Sequence, residues 1–344
     1  MRALRFHGNK DMRVDEIPEP AIRPGHVKVK NAWCGHEFAG SVTELAPDVT
    51  DFKVDDQVAV FPIITDGTCN WCEQESYGLC PNWGFLGYSG FGGGMAEYIV
   101  VDRKALHKVP DHVPLDVAAL VEPLAVGWHA VKMAKPEPGD CCLVLGAGPI
   151  GLAVIHALVA HNITNIIVSE PSALRASQAK AAGATHVVSP REVDVPAFVQ
   201  EHSPDNGGAH SIYECAGIQA AFQVALTAVR GRGIIVNVAI YEATSLEIPN
   251  PNTLNRRQIT IVGSNTYTRA EFDEVIAAIA EGRIKNPAAM ITGRVPLERA
   301  VEDGIKQLVA GVEGHVKILV DLGSGVQQTR PEDGVCATSV HVEA

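Results

Sequence analysis

Three cysteines and an aspartate lie close together in a polar stretch of the chain, at spacings typical of a metal-binding loop. Two residues separate neighbours among the first three groups and seven precede the last; the groups are Asp66, Cys69, Cys72 and Cys80. Three thiolates and one carboxylate suit a closed tetrahedral zinc site, which is a structural rather than a catalytic type. The stretch has few apolar residues and would gain order from a metal. Loop thiols without a metal, or a redox CxxC pair, are the alternatives.

A second group of potential ligands combines a thiol, an imidazole and carboxylates. One residue separates Cys34 from His36, Glu37 follows directly, and Glu122 lies far downstream. A thiolate, an imidazole and one carboxylate leave the fourth position of a zinc ion open, as catalysis requires. In an extended segment, Cys34 and His36 point to the same side about 6.6 Å apart, and Glu37 faces away. The alternatives are an accidental CxH pair and a helix-end charge at Glu122.

The third motif is a glycine-rich turn between a predicted strand and a predicted helix. Gly146, Gly148 and Gly151 form the pattern GxGxxG, and the following predicted strand ends at Glu170. These glycines permit a tight turn, the approach of backbone N–H groups to a pyrophosphate, and close helix–sheet packing. Because Glu170 would accept hydrogen bonds from a ribose diol and repel a 2′-phosphate, we predict NAD rather than NADP. The remaining predicted cofactor-binding residues are Pro149, Ile150 and Arg175.

The composition limits the classes of function that the chain can have. Its 344 residues are 46% hydrophobic and 20% charged, which is typical of a globular protein with about two domains. The formal net charge of −12 argues against a nucleic-acid partner. The sequence shows neither an N-terminal signal peptide nor a run of about 18 apolar residues. We therefore expect a cytoplasmic protein with no membrane partner.

The cysteine usage fits this cellular location. The chain has eight cysteines. Because the sequence shows no secretion signal, we expect the clustered cysteines to bind a metal rather than to form disulfides. Three others lie in apolar runs and are predicted to be small core residues, namely Cys141, Cys142 and Cys215.

The elements that must position these groups change in character along the chain. Up to about Lys108, short β-like runs broken by Pro and Gly indicate a small antiparallel or barrel-like unit. Helical turns around Pro123 form a crossover. Strands and helices then alternate, which predicts a doubly wound parallel sheet. Its predicted strands are Leu143–Gly146, Ile166–Glu170, His186–Ser189, Ser211–Cys215, Gly233–Ala239 and Ile259–Gly263.

The C-terminal part returns to short elements. An amphipathic helix at Glu271–Glu281 is followed by a segment, ending in Val316–Val320, that we expect to rejoin the N-terminal unit. We thus predict a catalytic domain from 1–122 and 288–322, a nucleotide-binding domain from 123–287, and a flexible tail at 323–344. The strand near residues 259–264 could form a subunit edge in a homodimer or homotetramer.

These motifs together resemble the zinc-dependent medium-chain dehydrogenases, most closely the 2,3-butanediol and sorbitol dehydrogenase branch. The similar stretches cover nearly the whole chain to Val320 and are residues 25–35, 36–40, 84–98, 117–125, 146–152 and 291–298. The resemblance implies an α/β protein with a GroES-like catalytic domain, built from both chain ends, around a central Rossmann domain. It also implies oxidation of a secondary alcohol or vicinal diol, with zinc activating the hydroxyl and NAD accepting the hydride.

The resemblance also implies roles for individual residues. Cys34, His36 and Glu122 match the catalytic zinc ligands, and Glu37 matches the neighbouring glutamate that lies on or beside the metal. The cysteine loop, residues 66–80, matches the structural zinc site of the family, except that Asp66 replaces the usual first cysteine.

One departure from the family pattern bears on activity. In the family, the first zinc cysteine is followed by a Gly-Ser/Thr-Asp-x-x-His-type loop and a few tens of residues before the Gly-His-Glu turn, whereas Cys34-Gly35 here runs directly into His36-Glu37. The missing piece supplies the proton relay and part of the substrate pocket wall. A skipped exon, a gene-model error or a true deletion would each explain the seam.

The sequence therefore leaves several functions open. An active zinc alcohol dehydrogenase is favoured, and a catalytically impaired NAD- and zinc-binding paralogue, or a mis-spliced form lacking the relay loop, is the alternative. A zinc-free NADPH-dependent quinone or enoyl reductase is disfavoured by Glu170 and by the Cys/His pair. A module that binds protein partners through the cysteine loop is a further alternative.

Overall fold

The computed structural model describes residues 1–33, 35–90, 92–243, 245–311 and 314–323. The predicted zinc ligand Cys34 lies outside the described residues. The same holds for the predicted tail beyond Gly323.

The N-terminal part consists of short strands with alternating burial. In the strand His26–Trp33, Val27 and Val29 are buried, whereas Lys30 is exposed, as period-two alternation predicts. The strands are β1 (Arg2–Gly8), β2 (Asp11–Glu16), β3 (His26–Trp33), β4 (Ala39–Leu45), β5 (Gln57–Val60), β6 (Ile63–Ile64), β7 (Gly84–Phe85), β8 (Tyr98–Asp102) and β9 (Leu106–Lys108). All of their mutual pairings are antiparallel, which confirms the predicted antiparallel unit.

Three helices belong to this part and to the crossover that follows it. They are α1 (Asn70–Glu73), α2 (Leu115–Ala118) and α3 (Val121–Ala134). Pro123 lies in the first turn of α3, where its missing N–H has no helical partner to lose, so the helix continues through it. The predicted helical turns around Pro123 are confirmed, and Glu122 is placed at the buried start of α3.

The central part is a six-stranded parallel sheet. Its strands are β10 (Cys141–Leu145), β11 (Asn165–Ser169), β12 (His186–Val188), β13 (Ala209–Glu214), β14 (Val229–Asn237) and β15 (Thr260–Gly263). Their order is β12-β11-β10-β13-β14-β15, so the order reverses between β10 and β13. All six predicted strands are confirmed to within a few residues, and this topology is the doubly wound Rossmann arrangement.

Helices connect these strands on both faces of the sheet. They are α4 (Pro149–Ala160), α5 (Ala173–Ala182), α6 (Val195–His202), α7 (Gln219–Ala228), α8 (Asn252–Arg257) and α9 (Arg269–Ala280). Helix α9 begins with a capping box in which Thr268 and Glu271 each bind the other's backbone N–H. No helix within the described ranges combines the length and the apolar character needed to span a membrane.

The last described strands return to the first sheet. They are β16 (Gly293–Pro296) and β17 (Ile318–Asp321). A π-helical turn (Ala300–Ile305) and α10 (Lys306–Val309) lie between them. Strand β17 pairs with β16 and with β3, which confirms that the C-terminal segment rejoins the N-terminal unit. The boundaries at residues 122 and 287 stay predictions; the first of them falls within α3.

Helices α3 and α4 cross at close range because α3 carries a glycine at the contact. A Cβ on Gly127 would lie 2.5 Å from the Ala153 carbonyl carbon and 2.6 Å from the Val154 nitrogen. These are backbone atoms of α4 and cannot rotate away. Helix α3 of the crossover is thereby packed rigidly against α4, the helix that follows the glycine-rich turn.

We predict that Gly127→Ala destabilises the protein, although alanine stabilises a helix interior by about 1 kcal/mol relative to glycine. Because the clash is with backbone atoms that cannot move aside, we expect the upper end of the overpacking cost of about 1–3 kcal/mol, and so a net loss of up to about 2 kcal/mol. Urea unfolding followed by circular dichroism measures it. The control is Gly8→Ala, because a Cβ there meets no atom within 4 Å; equal midpoints in both variants would contradict the prediction.

Candidate metal and dinucleotide sites

Two of the predicted ligands of the catalytic metal, His36 and Glu122, come together in space with Glu37, the predicted neighbouring glutamate. His36, Glu37 and Glu122 each offer a donor atom, and these atoms lie within 4.8 Å of one another. His36 is exposed, Glu37 is half-buried and Glu122 is buried, so the cluster reaches from the interior to the surface. Cys34 is outside the described residues, and its role as a ligand stays a prediction.

Burial of Glu122 determines the electrostatics of this cluster. The side chain is only 5% exposed, and burial together with the nearby Glu37 raises its pKa to about 8. The hydroxyl group of Tyr267 donates a hydrogen bond of 2.8 Å to Glu122 Oε1. That hydrogen bond and Lys317 act in the opposite direction on the pKa. A cation at this place would offset the remaining cost of the buried charge.

Glu37 points toward the cluster, whereas an extended segment would turn its side chain away. Residues 35–37 bend instead of continuing as a strand, so successive side chains do not alternate. The side chain of Glu37 therefore reaches the same place as those of His36 and Glu122. Its carboxylate also accepts a hydrogen bond from Lys317 Nζ, which comes from the C-terminal segment just before β17.

The cysteine loop brings all four of its predicted ligands together. Donor atoms of Asp66, Cys69, Cys72 and Cys80 lie within 4.8 Å of one another. The sulfur atoms of Cys69 and Cys72 are 3.5 Å apart, and Asp66 Oδ1 lies 3.4 Å from Cys72 Sγ. Burial raises the pKa of Cys80 to about 11, because the thiolate is poorly solvated there. A bound metal would stabilise that thiolate.

Asp66 also has a second role within this loop. Its Oδ1 accepts hydrogen bonds from the backbone N–H groups of Thr68 at 2.9 Å and Cys69 at 3.0 Å, and its Oδ2 accepts one from Asn82 at 3.1 Å. These bonds hold the pKa of Asp66 well below its usual range. Asp66 is therefore a charged loop cap whose remaining lone pairs can face a metal.

The glycine-rich turn has the geometry of a phosphate-binding site. Gly146 has a φ of 90°, in the left-handed region, and a Cβ on Gly151 would lie 2.0 Å from the carbonyl oxygen of Gly146. A Cβ on Gly148 would meet no atom within 4 Å, so space is open at the N-terminus of α4. Pro149 and Ile150 form the first residues of that helix. Backbone N–H groups and the helix dipole therefore favour an anion here.

Glu170 follows β11 beside this turn and is buried. Its Oε2 accepts a hydrogen bond of 2.7 Å from the N–H of Ala147, within the turn, and its Oε1 accepts one of 2.8 Å from Ser172. The carboxylate is thus fixed next to the turn, where the prediction requires it. Arg175 lies in the first turn of α5 and is half-buried.

Tyr267 and Lys317 were not among the predicted site residues. Tyr267 lies 145 positions from Glu122, and Lys317 lies 280 positions from Glu37. Neither belongs to a motif with metal-ligand spacing. Only the folded chain shows that both contact the cluster.

Family comparisons assign both halves of the chain. Residues 11–111 match the alcohol dehydrogenase GroES-like domain, and residues 149–281 match the zinc-binding dehydrogenase family. Among curated relatives, a probable diacetyl reductase [(R)-acetoin forming] 2 of Saccharomyces cerevisiae is 35% identical, with 97% of this chain and 93% of the relative covered. The (R,R)-butanediol dehydrogenase of Bacillus subtilis is 34% identical, with 93% and 99% covered.

Solved structures give the same assignment. The 2R,3R-butanediol dehydrogenase of B. subtilis superimposes with a TM-score of 0.86 at 33% identity, covering 93% of this chain and 99% of that one. A zinc-binding dehydrogenase of Sinorhizobium meliloti 1021 bound to NADP superimposes with a TM-score of 0.85 at 26% identity, covering 93% and 98%.

The alignment with the B. subtilis relative also shows a difference in length. It spans 355 positions but includes 93% of this chain, or about 320 of its 344 residues. About 35 positions of the relative therefore have no counterpart here. A gap of this size fits the segment that the family pattern places between Gly35 and His36.

The order of the parallel strands, the clustered donor atoms and the family comparisons agree with one another. The chain therefore belongs to the zinc-dependent medium-chain dehydrogenase/reductase family, in the branch of the butanediol and sorbitol dehydrogenases.

Proposed function

We propose that this protein is an NAD-dependent zinc alcohol dehydrogenase that oxidises a secondary alcohol or vicinal diol to a ketone. The observation that carries the proposal is the convergence of His36, Glu37 and Glu122, whose donor atoms lie within 4.8 Å of one another. The (R,R)-butanediol dehydrogenases among the relatives support a vicinal diol as the substrate.

The donor set fits a zinc ion. An imidazole and carboxylate oxygens are common zinc ligands, and Cys34 would add a thiolate. Two carboxylates that converge in a partly buried place also need positive charge nearby. Zinc bound there would supply a Lewis acid that lowers the pKa of a substrate hydroxyl group.

The residues around the metal ligands hold them in place. Tyr267 fixes one oxygen of Glu122, and Lys317 neutralises Glu37, so each carboxylate keeps an orientation before substrate binds. His36, as the exposed member of the cluster, faces the side from which substrate would enter.

The central sheet fits a dinucleotide. The turn at Gly146–Gly151 would bind the pyrophosphate, and Glu170 would accept hydrogen bonds from the ribose diol. Two buried side-chain oxygens, Asn237 Oδ1 and Ser264 Oγ, have no hydrogen-bond partner among the residues that the structure describes. They lie at the carboxyl ends of β14 and β15, the edge at which such sheets bind ligands. NAD bound there would supply the hydride acceptor.

We propose a structural zinc ion at Asp66, Cys69, Cys72 and Cys80, in addition to the catalytic one. The convergence of three thiols and a carboxylate within 4.8 Å supports it. We also propose a cytoplasmic homodimer or homotetramer in which β15, the last strand of the parallel sheet, lies at a subunit edge.

A catalytically impaired form is the second candidate function. The gap of about 35 positions relative to the B. subtilis enzyme favours it. In the family, the segment at this place carries the proton relay and part of the pocket wall, and His36 is exposed here. This form would bind zinc and NAD without oxidising diols.

We predict that Glu122→Gln lowers turnover of a vicinal diol at least about 100-fold, because the buried carboxylate is lost as a metal ligand while its volume is kept. The affinity for NADH, measured by fluorescence titration, should not change. Glu281→Gln replaces an exposed glutamate at the end of α9 and serves as the control. Wild-type turnover in Glu122→Gln would eliminate the zinc-alcohol mechanism. A wild type that binds zinc and NADH but oxidises neither diols nor secondary alcohols would support the impaired form.

We predict that Cys80→Ser removes one zinc ion per chain and lowers the melting temperature, because a structural metal stabilises the loop it binds. Zinc content is measured by plasma mass spectrometry on the purified protein. Cys141→Ser also replaces a buried thiol and should destabilise the protein without loss of zinc.

Asp66→Asn separates the two roles of Asp66 in the same experiment. Asparagine can still accept the hydrogen bonds from Thr68 and Cys69 but is a poorer zinc ligand. Because the cap hydrogen bonds are kept, we expect loss of zinc with a smaller fall in melting temperature than in Cys80→Ser. Full zinc retention would show that Asp66 is a loop cap alone.

We predict that Glu170→Gln raises KM for NAD about 10-fold, since a hydrogen bond to a charged group contributes about 1.5–3 kcal/mol. It should also reduce the preference for NAD over NADP, because the repulsion of a 2′-phosphate is lost. Steady-state kinetics with both cofactors measure the ratio. Glu192→Gln, at an exposed position of the same sheet unit, is the control; an unchanged ratio in Glu170→Gln would contradict the assignment.

A further inference from the structure

The loop formed by residues 264–268, which joins β15 to α9, contacts both proposed metal sites. At one end, Tyr267 is 2% exposed and its hydroxyl group donates to Glu122 Oε1 at 2.8 Å. At the other, Asn265 Nδ2 donates to the carbonyl oxygen of Gly78 at 3.1 Å. Gly78 lies two residues before Cys80, within the cysteine loop. Three consecutive residues thus span the distance between the two sites.

Tyr267 is held firmly enough to orient Glu122. Its ring packs edge-on against Phe61, at a centroid distance of 5.5 Å, and stacks with Phe272 at 5.7 Å. Both partners are fully buried. Because the ring cannot move freely, the hydroxyl group fixes the position of the carboxylate rather than following it.

The 264–268 loop packs tightly against the cysteine loop at Gly78. A Cβ on Gly78 would lie 2.5 Å from Thr266 Oγ1 and 2.9 Å from Asn265 Nδ2. A side chain at position 78 would therefore push against two neighbouring residues of the 264–268 loop.

Thr266 is in a backbone conformation that its side chain disfavours. Its φ is 58°, in the left-handed region, which β-branched residues rarely adopt. Such a conformation persists only where the surroundings determine it, and Thr266 is buried against Gly78. The contact of Thr266 with Gly78 of the cysteine loop thus determines the backbone conformation immediately before Tyr267.

From these contacts we infer that Tyr267 is a positioning residue for the catalytic metal, and that the cysteine loop sets its position through Asn265 and Thr266. The inference rests on the proposed function, since it concerns ligands of the same zinc. It gives the cysteine loop a role beyond stability: its order is transmitted to Glu122 through one short segment.

The first test measures zinc affinity of the full chain by titration with a chromophoric chelator. The phase that Glu122→Gln removes belongs to the catalytic site, and the phase that Cys80→Ser removes belongs to the cysteine loop. Tyr267→Phe removes a single oxygen and should weaken the catalytic phase about 10–100-fold, as loss of a residue that orients a ligand does. The cysteine phase and the KM for NAD should be unchanged, while kcat falls.

The matched control is Tyr213→Phe, which also removes a buried phenol oxygen from the nucleotide-binding part, where Tyr213 accepts a hydrogen bond from Ser211. It should leave the catalytic phase as in the wild type. An unchanged catalytic phase in Tyr267→Phe would overturn the inference alone. Absence from the wild type of any phase that depends on Glu122 would overturn the proposed function and the inference with it.

The second test addresses the contact between the two loops. Gly78→Ala and Asn265→Ala should each weaken the catalytic phase, by roughly 2–30-fold, because the coupling acts through residues that touch neither metal. Thr266→Gly should restore it in the Gly78→Ala background, since it removes the clashing side chain and glycine tolerates the positive φ. Glu73→Gln, at an exposed position of α1, is the control. Wild-type catalytic affinity in both Gly78→Ala and Asn265→Ala would overturn the proposed link.

Discussion

The structure depends on the burial of one carboxylate, that of Glu122, beside a second carboxylate, that of Glu37. Desolvation opposes its charge and, together with Glu37, raises its pKa to about 8. The groups that offset this cost come from distant parts of the chain: the hydroxyl group of Tyr267 follows the parallel sheet, and the ammonium group of Lys317 precedes the last described strand. The site can therefore form only when both chain ends and the central sheet have folded together. A metal ion would supply the positive charge that these two partners leave incomplete.

The same residue ties the metal site to the dinucleotide site. Glu122 lies in the first turn of α3, and α3 crosses α4 so closely that Gly127 has no room for a Cβ. Helix α4 in turn begins at the glycine-rich turn. One pair of packed helices thus fixes the buried ligand relative to the proposed pyrophosphate site. Hydride transfer needs such a fixed relation, because small displacements between donor and acceptor lower the rate strongly.

The sequence predicted those parts of the fold and site that depend on local patterns. All six strands of the parallel sheet were identifiable because strands buried on both faces are short apolar runs between turns. The convergence of the four potential ligands of the cysteine loop was predictable from their spacing alone. An extended segment would turn Glu37 away, and only the resemblance placed it beside the metal; the bend at residues 35–37 brings its side chain to the cluster. Tyr267 and Lys317 could not be predicted, since a tyrosine and a lysine far from any motif gain their roles only through long-range packing.

The place of the proposed deletion explains how the fold tolerates it. Strands β3 and β4 pair antiparallel, with Trp33 opposite Ala39, so a short connection already suffices to join them. A segment inserted in this connection in relatives would project from a hairpin end, where changes in length cost little free energy. The donor atoms on the far side of the connection, those of His36 and Glu37, still reach Glu122. In the impaired form that we propose as the second candidate, shortening this connection would affect proton transfer and the pocket wall, whereas the sheet, the carboxylate cluster and the glycine-rich turn are all present in this chain.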